Sequence, residues 1–334
     1  MRLRRNRDAS SPSSGSQNLV VYFASDIHAS MLCWKKFLAA PRFYGAHVII
    51  IGGDITGKFL VPIVRQSNGV WKSRYHGSDR VLRSKTEVEE LKVMAENSGA
   101  YAVELGEEEF RALQDDLQGT DDLFLEEVKK RIEKWVELAD ARLAHEGVKC
   151  FVSGGNDDPF EIDKILDRSE VICVPDRHVV AIDDDIEMLS LGYANQTPWN
   201  CPRDISEEEL GSKIEELASE LRDVGHSVFN IHVPPHDTGL DWAPELDSTM
   251  TPVRSASGEL NFVPVGSTAV RAAIEHWQPL LGLHGHVHES QGIKQLGRTV
   301  VANPGSEYQE GLLHGVLVKI DKRSWKVSAQ LVAG

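Results

Sequence analysis

The chain has 334 residues, which is enough for one large domain or two ordinary ones with a substantial buried core. Its composition, 41% hydrophobic and 26% charged, is that of a globular protein, and no apolar run approaches the ~18 residues of a membrane span. The net charge of −15 is concentrated between residues 86 and 146, which contain 18 acidic and 7 basic residues. No strongly basic stripe is present, so the sequence disfavours nucleic acid as a partner and predicts no membrane contact.

The first 17 residues are rich in Arg and Ser and lack the apolar stretch of a secretory signal. We interpret residues 1–17 as a disordered tail, because a segment rich in Ser, Pro and Gly cannot bury apolar surface. A transit peptide or a nucleic-acid-binding arm is the alternative. The four cysteines include no C-x-x-C pair, and Cys33, Cys150 and Cys173 have apolar neighbours. Buried free thiols in a reducing compartment are therefore expected, which predicts a cytoplasmic protein.

Residues 18–334 begin with a pattern of strand, helix and strand. Residues 18–24 form an apolar run that ends in Ser25-Asp26-Ile27-His28, and a helical pattern follows. Residues 47–51 form a second apolar run that ends in Gly52-Gly53-Asp54. Continuously apolar strands that alternate with helices predict an α/β fold with a sheet buried on both faces. In such sheets ligands bind beyond the carboxyl ends of the strands, where these polar residues lie.

Residues 58–146 interrupt this pattern. Residues 59–64 and 70–75 flank an Asn-Gly pair and predict a hairpin. Acidic segments with helical spacing follow, the longest of them at residues 120–145. We interpret residues 58–146 as an acidic hairpin-plus-helical insertion that covers one end of the sheet. Its acidic face is either a solvated surface or a site for a protein partner.

Three later apolar runs also end in polar segments: residues 148–153 before Gly154-Gly155-Asn156-Asp157-Asp158, residues 227–231 before His232-Val233-Pro234-Pro235-His236, and residues 280–283 before His284-Gly285-His286-Val287-His288. A second hairpin is predicted at residues 179–191. The two strand-rich stretches, before and after the insertion, predict two sheets packed together with helices outside.

Five strand ends therefore present carboxylate, amide or imidazole groups beside Gly or Pro. Polar groups at the ends of buried strands are costly unless they are satisfied, so this arrangement predicts a bound ligand. The D-x-H motif at residue 26 and the H-x-H motif at residue 286 each place two donors on one side of an extended segment. Gly53 and Gly155 let the backbone turn sharply and approach an ion closely. Oxygen and imidazole ligands together suit Mn, Fe, Zn or Co rather than Ca.

The order of these motifs, D-x-H, G-G-D, G-N-D-D, H-V-P-P-H and G-H-V-H, resembles that of the calcineurin-like metallophosphoesterases, as does the later Asn303-Pro304-Gly305-Ser306 run. The resemblance covers most of residues 19–311 outside the insertion. It implies a metallophosphoesterase domain over residues 18–334, built as a four-layer α/β/β/α sandwich of two mixed sheets, with a dinuclear metal site. By this resemblance one ion would be held by Asp26, His28 and His288, the other by Asn156, His232 and His286, and both by a bridging Asp54.

The activity implied by the resemblance is hydrolysis of a small phosphodiester or phosphomonoester by attack of a metal-bridging hydroxide. Two divalent ions are the implied cofactors, with Mn²⁺ expected to serve in vitro. The charge that two carboxylates leave uncompensated on the ions would attract a phosphate. Asp54 and Asn156 are counted as catalytic residues as well as ligands. A nuclease of the same family and a metal-stabilised protein-interaction scaffold are the alternatives.

The sequence departs from the family pattern at one position. Many relatives have a histidine directly after the motif asparagine, where this chain has Asp157. Cations nearby would lower the pKa of a carboxyl group and make it a poor general acid. We therefore expect Asp157 to bind the imidazole of a metal ligand or to cap the helix that follows. Besides Asp157, the candidates for leaving-group chemistry are His236 and His284. Two loop tryptophans, Trp199 and Trp242, either stack on a base or anchor packing.

Overall fold

The structure is a computed structural model that describes residues 18–334, and the predicted tail lies outside the described residues. The helices are α1 (Met31–Phe37), α2 (Ala40–Tyr44), α3 (Lys85–Asn97), α4 (Glu107–Asp115), α5 (Leu117–Leu143), α6 (Asp163–Leu166), α7 (Glu207–Glu220) and α8 (Thr268–Trp277). The strands are β1 (Asn18–Ala24), β2 (Val48–Ile51), β3 (Leu60–Arg65), β4 (Trp71–Tyr75), β5 (Ser78–Leu82), β6 (Tyr101–Gly106), β7 (Lys149–Val152), β8 (Ile172–Cys173), β9 (His178–Ala181), β10 (Glu187–Leu191), β11 (Ala194–Asn195), β12 (Asp204–Ile205), β13 (Val228–Ile231), β14 (Trp242–Pro244), β15 (Phe262–Pro264), β16 (Leu281–Leu283), β17 (Gly292–Leu296), β18 (Thr299–Asn303), β19 (His314–Asp321) and β20 (Lys326–Ala333).

Two six-stranded mixed sheets form the centre of the fold. The first has the strand order β20-β19-β1-β2-β7-β8, and the second has the order β17-β18-β16-β13-β10-β9. In the first sheet β1, β2, β7 and β8 are parallel. In the second sheet β18, β16, β13 and β10 are parallel, and the two edge strands are antiparallel to their neighbours. The carboxyl ends of the parallel strands within each sheet therefore meet at one edge.

Alternation of side chains along the strands produces four layers. In β1, Val21 and Phe23 enter the core between the two sheets, whereas Tyr22 and Ala24 face the helices α1 and α5. The outer face of the second sheet packs against α7 and α8. The fold is therefore the predicted α/β/β/α sandwich. No helix within residues 18–334 combines the length and the apolar character needed to cross a membrane.

The segment at residues 58–146 contains more strand structure than we predicted. β3 and β4 pair as the expected hairpin, but β5 and β6 extend them to a four-stranded sheet in the order β5-β4-β3-β6. β6 is parallel to β3, and the sheet has a small core of its own around Trp71, Leu82 and Leu91. β6 escaped prediction because its middle residues are all half-buried, so its sequence lacks the alternation of a strand with one buried face.

The long helix of this segment belongs to the outer layer of the main sandwich. α5 begins at Leu117 rather than at residue 120, because the side chain of Asp116 caps it. The Trp135 ring stacks on Trp34 of α1 with ring centroids 4.6 Å apart, and both side chains are fully buried. One face of α5 therefore covers the first sheet.

The cysteine prediction is wrong at one position. Cys33 and Cys150 are buried, as expected, but Cys173 is exposed. It lies in β8 at the edge of the first sheet, where Ile172 faces inward and its neighbour consequently faces solvent. All four cysteines are free thiols.

We expect Trp135→Ala to lower the free energy of unfolding by about 3–5 kcal/mol, because it removes a fully buried aromatic ring between α5 and α1. Leu117→Ala, at an 82% exposed position of the same helix, is the matched control and should change stability by less than about 0.5 kcal/mol. Urea unfolding measures both. A Trp135→Ala effect as small as the control would show that α5 is not part of the cooperative core.

Candidate metal centre

The predicted ligands lie together beyond the carboxyl ends of five parallel strands. Asp26 and His28 follow β1, Asp54 follows β2, Asn156 follows β7, His232 follows β13, and His286 and His288 follow β16. The first five of these are at most 3% exposed, and the last two are half-buried. Three strands of the first sheet and two of the second thus contribute to one site.

The donor atoms form two clusters, and those within each cluster lie within 4.8 Å of one another. The first consists of Asp26, His28 and His288: the two imidazole Nε2 atoms are 3.0 Å apart, and His288 Nε2 is 3.4 Å from Asp26 Oδ1. The second consists of Asp54, His232 and His286, with His232 Nε2 3.3 Å from Asp54 Oδ1.

Asp54 lies between the two clusters. Its Oδ1 faces His232, and its Oδ2 is 3.9 Å from His28 Nε2 in the other cluster. Asn156 joins the second cluster, because its Oδ1 is 2.9 Å from His286 Nδ1. All seven side chains predicted as ligands are therefore brought together.

The hydrogen bonds of the histidines fit a bound cation. His28 Nδ1 is 3.1 Å from the carbonyl oxygen of Thr56, and His232 Nδ1 is 3.1 Å from that of Gly52. A carbonyl accepts only from a protonated nitrogen, so Nδ1 carries a proton in both rings and Nε2 is the nitrogen that faces the clusters. His232 Nε2 is buried and has no hydrogen-bond partner. Imidazoles oriented through their second nitrogen are typical of metal ligands.

The electrostatics of the site agree with this donor set. Burial raises the pKa of Asp26 and Asp54, but the neighbouring imidazoles outweigh it: the pKa of Asp26 falls to about 2 and that of Asp54 falls well below its usual range. Burial lowers the pKa of His28 and His286 to about 4. At His232 burial is outweighed by the charge of Asp54, which raises the pKa to about 9. A bound cation would displace the proton on His232 that the charge of Asp54 stabilises.

The backbone is left-handed at several ligands. The φ angles of Asp26, His28, Asp54 and His286 are 57°, 37°, 49° and 67°. Residues with a Cβ rarely adopt such angles, each of which costs on the order of 1–3 kcal/mol, and they concentrate at functional sites. The strand ends are therefore bent to direct side chains inward.

Two glycines let the ligand loops approach each other. Gly53 has a φ of 134°, and a Cβ there would overlap the ring of His232. A Cβ on Gly155 would overlap Asp54, but the φ of Gly155 is not left-handed. Gly53 thus allows both the sharp turn and the close approach of the two loops, as predicted. Gly155 allows only the close approach, because a Cβ there would overlap Asp54.

Sequence reasoning missed the residue that holds two ligand loops together. Asp158 is fully buried and accepts hydrogen bonds from the backbone N–H groups of Ile55, Thr56 and Gly155 and from the Thr56 hydroxyl, at 2.6 to 2.9 Å. It therefore ties the loop after β2 to the loop after β7. Burial and the charge of Asp54 raise its pKa to about 6. The only signal in the sequence was the second aspartate of the G-N-D-D run.

Asp157 has neither of the structural roles predicted for it. Its Oδ2 is 2.6 Å from the Lys58 ammonium, and its Oδ1 accepts from the Cys201 thiol at 2.8 Å. Its backbone N–H donates to Asp54 Oδ1 at 3.1 Å. One of its carboxylate oxygens also lies within 4.8 Å of the donor atoms of His28 and Asp54. Asp157 thus lies at the edge of the clusters and holds a lysine there, which no sequence motif indicated.

The other two histidine candidates lie elsewhere. His236 Nδ1 is 3.8 Å from Asp241 Oδ2, and the residue does not line the cavities at the clusters. His284 is fully buried with its Nδ1 2.8 Å from the Ile231 carbonyl oxygen, and burial lowers its pKa to about 4. This placement gives no support to leaving-group chemistry by either side chain.

The Asn-Pro-Gly-Ser run supports the ligand loops from the other side. The Asn303 side-chain amide donates to the carbonyl oxygens of Gly285 and Val287, at 3.3 and 2.9 Å, and so braces the loop that contains His286 and His288. The Ser306 hydroxyl donates to the Asp26 carbonyl oxygen at 2.6 Å. This run therefore fixes the backbone of two ligand loops.

Two cavities adjoin the clusters. One of about 590 Å³ is lined by Asp54, Asn156 and His286, and another of about 650 Å³ is lined by Ser306 and Tyr308. His288, Glu289 and Lys58 line both. Among residues 18–334, Lys58 is the only lysine or arginine in either lining. The clusters are therefore open to a ligand on two sides.

Comparison with known proteins shows the fold. An uncharacterized protein of Methanocaldococcus jannaschii is 31% identical over 163 residues, which are 42% of this chain and 66% of the relative, so the match spans just under two thirds of that protein. The structure of TT1561 of Thermus thermophilus superposes with a TM-score of 0.53 at 13% identity, over 93% of this chain and 98% of the other. A second solved structure has a TM-score of 0.53 at 15% identity, over 94% and 98%. No family model matches the chain.

We expect Asp158→Asn to weaken Mn²⁺ binding about 10- to 100-fold. This is the usual effect of removing a hydrogen-bonding residue that supports metal ligands without binding the ion itself. The amide presents a donor to backbone N–H groups that need an acceptor, so the two loops separate. Asp184→Asn, at an exposed position, is the matched control. Titration calorimetry with Mn²⁺ measures both, and equal affinities for the two variants would contradict the assignment.

Proposed function

We propose that this chain, which has the motif order and the fold of a calcineurin-like metallophosphoesterase, is a metal-dependent hydrolase of small phosphodiesters or phosphomonoesters. The observation on which the proposal rests is the position of Asp54 between two ligand clusters. One carboxylate shared by two sets of donors suits a pair of ions. The proposed ligands are Asp26, His28 and His288 for one ion, Asn156, His232 and His286 for the other, and Asp54 for both.

Two bound divalent ions would act as Lewis acids towards a phosphoryl group and lower the pKa of a coordinated water. The protein groups then orient the ester and balance its charge. Asp26 and Asp54 are the two carboxylates among the proposed ligands, and both are ionised. The remaining positive charge of two divalent ions attracts an anionic phosphoester.

We assign Lys58 the role of contacting a phosphoryl oxygen. The Lys58 ammonium group lies 2.6 Å from the Asp157 carboxylate, which holds it beside the clusters. Burial lowers the pKa of Lys58, but the charges of Asp157 and Asp54 outweigh burial and raise it, so Lys58 is always cationic. A fixed cation that lines both cavities can stabilise negative charge on the phosphoryl group. Asp157 is thus a positioning residue rather than a proton donor.

The charge of the cavity beside Asn156 favours a small substrate over a nucleic acid. Beside the single Lys58, this cavity is lined by Asp157 and Glu289. A polyanionic backbone bound by several phosphates would need several cations. A substrate with one phosphoryl group needs only the metal ions and Lys58.

We expect the Mn²⁺-loaded protein to hydrolyse bis-p-nitrophenyl phosphate or p-nitrophenyl phosphate. Asp54→Asn and His232→Ala should lower kcat/KM by about 10³-fold, because the first removes the negative charge shared by the two ligand sets and the second removes a ligand of an ion that supplies several kcal/mol to the reaction. His226→Ala, at a histidine that stacks on Trp325 outside the site, should stay within about twofold of the wild type. Failure of the wild type with Mn²⁺, Zn²⁺, Fe²⁺ and Co²⁺ would refute the proposal.

Lys58→Met should lower kcat/KM about 10²-fold, the usual effect of removing one donor to a transition-state oxygen. Inhibition by inorganic phosphate should weaken in parallel, while the Mn²⁺ affinity and the unfolding temperature stay unchanged. Lys58→Arg should retain part of the activity, and Lys72→Met, at an exposed position of β4, should retain all of it. An unaltered phosphate inhibition constant in Lys58→Met would show that Lys58 does not contact the phosphoryl group.

A further inference from the structure

The cavity of about 590 Å³ has two chemically different walls. One wall consists of the metal ligands Asp54, Asn156 and His286, with Lys58 beside them. The other wall is apolar and includes Phe124, Trp199, Leu246, Pro252 and Val265. The volume lies in the ordinary range of small-molecule sites, which is about 300–1,000 Å³. A phosphoryl group at the ligands would therefore leave its ester group facing the apolar wall.

Trp199 is the prominent side chain of this apolar wall. It is 64% exposed, and among residues 18–334 no aromatic or cationic side chain packs on its indole ring. A large flat ring left open on the inner side of a cavity loses little conformational entropy when a second ring stacks on it. Trp242, which was predicted to lie in a loop, begins β14 and does not line either cavity, so of the two tryptophans only Trp199 is placed to stack on a ligand.

The loop that bears Trp199 is fixed to the metal centre. Asp204 Oδ2 accepts from the Thr197 hydroxyl and from the backbone N–H of Cys201 at 3.0 Å. The other oxygen of Asp204 accepts from the side-chain amide of Asn156 at 2.9 Å. The carboxylate that orients a proposed metal ligand thus also holds both sides of the Trp199 loop, which fixes the backbone of the loop relative to that ligand.

A further part of the apolar wall comes from the acidic segment at residues 58–146. Phe124 of α5 packs edge-on against Tyr101 of β6, with ring centroids 5.5 Å apart. The Tyr101 hydroxyl accepts from the backbone N–H of Gly57, next to Lys58, at 2.8 Å. The apolar wall is therefore built from distant parts of the chain, and the parts that contain Trp199 and Phe124 are connected to residues beside the metal centre.

We propose that this wall is a specificity subsite for a flat, uncharged aromatic ring on the ester group, stacked on Trp199. The proposal rests on the proposed function, since it places the phosphoryl group at the metal ligands. Asp157 and Glu289 line the same cavity with only Lys58 to balance them, so an ester group with further phosphates is disfavoured. The apolar side chains favour a ring over a sugar or a charged chain.

Non-hydrolysable phosphonates test the subsite without turnover. Phenylphosphonate, cyclohexylphosphonate and methylphosphonate share the same anionic head and differ in ring shape and size. We expect calorimetry on the Mn²⁺-loaded protein to give phenylphosphonate about 10-fold higher affinity than either of the others, as stacking on an aromatic side chain predicts. The phosphonate analogue of thymidine 5′-monophosphate, in which a CH₂ group replaces the ester oxygen, is a fourth probe: tighter binding than phenylphosphonate identifies the ring as a nucleobase, and weaker binding identifies it as a simple aryl group.

The variants locate the effect at one side chain. Trp199→Ala should lower the affinity for phenylphosphonate about 10-fold and leave that for methylphosphonate within about twofold, whereas Trp199→Phe should retain most of it. Trp242→Ala, at a 42% exposed tryptophan outside the cavity, is the matched control. Equal losses for both phosphonates in Trp199→Ala would overturn the proposal, because they would indicate collapse of the loop. Equal affinities of the three phosphonates for the wild type would overturn it as well.

The subsite and the proposed function can fail separately. If hydrolysis depends on Asp54 but the three phosphonates bind with equal affinity, only the subsite is overturned. Ring-selective binding through Trp199 without hydrolysis of any ester supports the subsite and overturns the proposed reaction. If no phosphonate binds the metal-loaded protein and no ester is hydrolysed, the proposed function and the subsite are both overturned.

Discussion

The buried negative charge of Asp26 and Asp54 is the constraint on which the rest of the site depends. The two carboxylates are 1% and 3% exposed and remain ionised. An isolated buried carboxylate costs many kcal/mol, so each needs a compensating positive charge. The imidazoles of His28 and His286 are neutral, so the positive charge that the protein itself supplies comes from His232 beside Asp54, from His288 beside Asp26, and from Lys58 at the edge of the clusters. Under the proposed function, a cation in each cluster would add positive charge directly at the two carboxylates and would take up the imidazole lone pairs as ligands.

Holding such a site requires strain at the strand ends and rigid support behind them. Left-handed backbone at Asp26, His28, Asp54 and His286 turns their side chains inward, and such conformations persist only where surrounding contacts fix them. Asp158 supplies those contacts between the loops after β2 and β7, and the Asn303 side chain supplies them behind the loop after β16. Because these networks are fully hydrogen-bonded, they confer rigidity without leaving polar groups unpaired.

Much of the fold and the positions of the ligands could be predicted from the sequence. Parallel strands read as continuous apolar runs, and polar groups after such runs must meet at the carboxyl edge. The roles of two neighbouring residues of the same type were harder to predict. Asp157 and Asp158 look alike in sequence, yet Asp157 pairs with a lysine, whereas Asp158 is buried and joins two loops by hydrogen bonds. Lys58 lies almost a hundred residues from Asp157, and no local period reveals that contact. β6 and the apolar wall around Trp199 also depend on contacts between distant segments.

The acidic segment at residues 58–146 connects stability with access to the site. Its helix α5 is buried against α1 through Trp135, so the segment belongs to the outer layer of the sandwich. The same helix presents Phe124 to the cavity, and Lys58 lies where the segment begins. The charges on its outer face are set apart from the clusters by the apolar residues beneath them, and charges on an exposed surface are screened over about 10 Å. The strongly acidic outer face of the segment is therefore compatible with the proposed binding of an anionic ester on its inner side, because bound ions and Lys58 would set the sign of charge at the site.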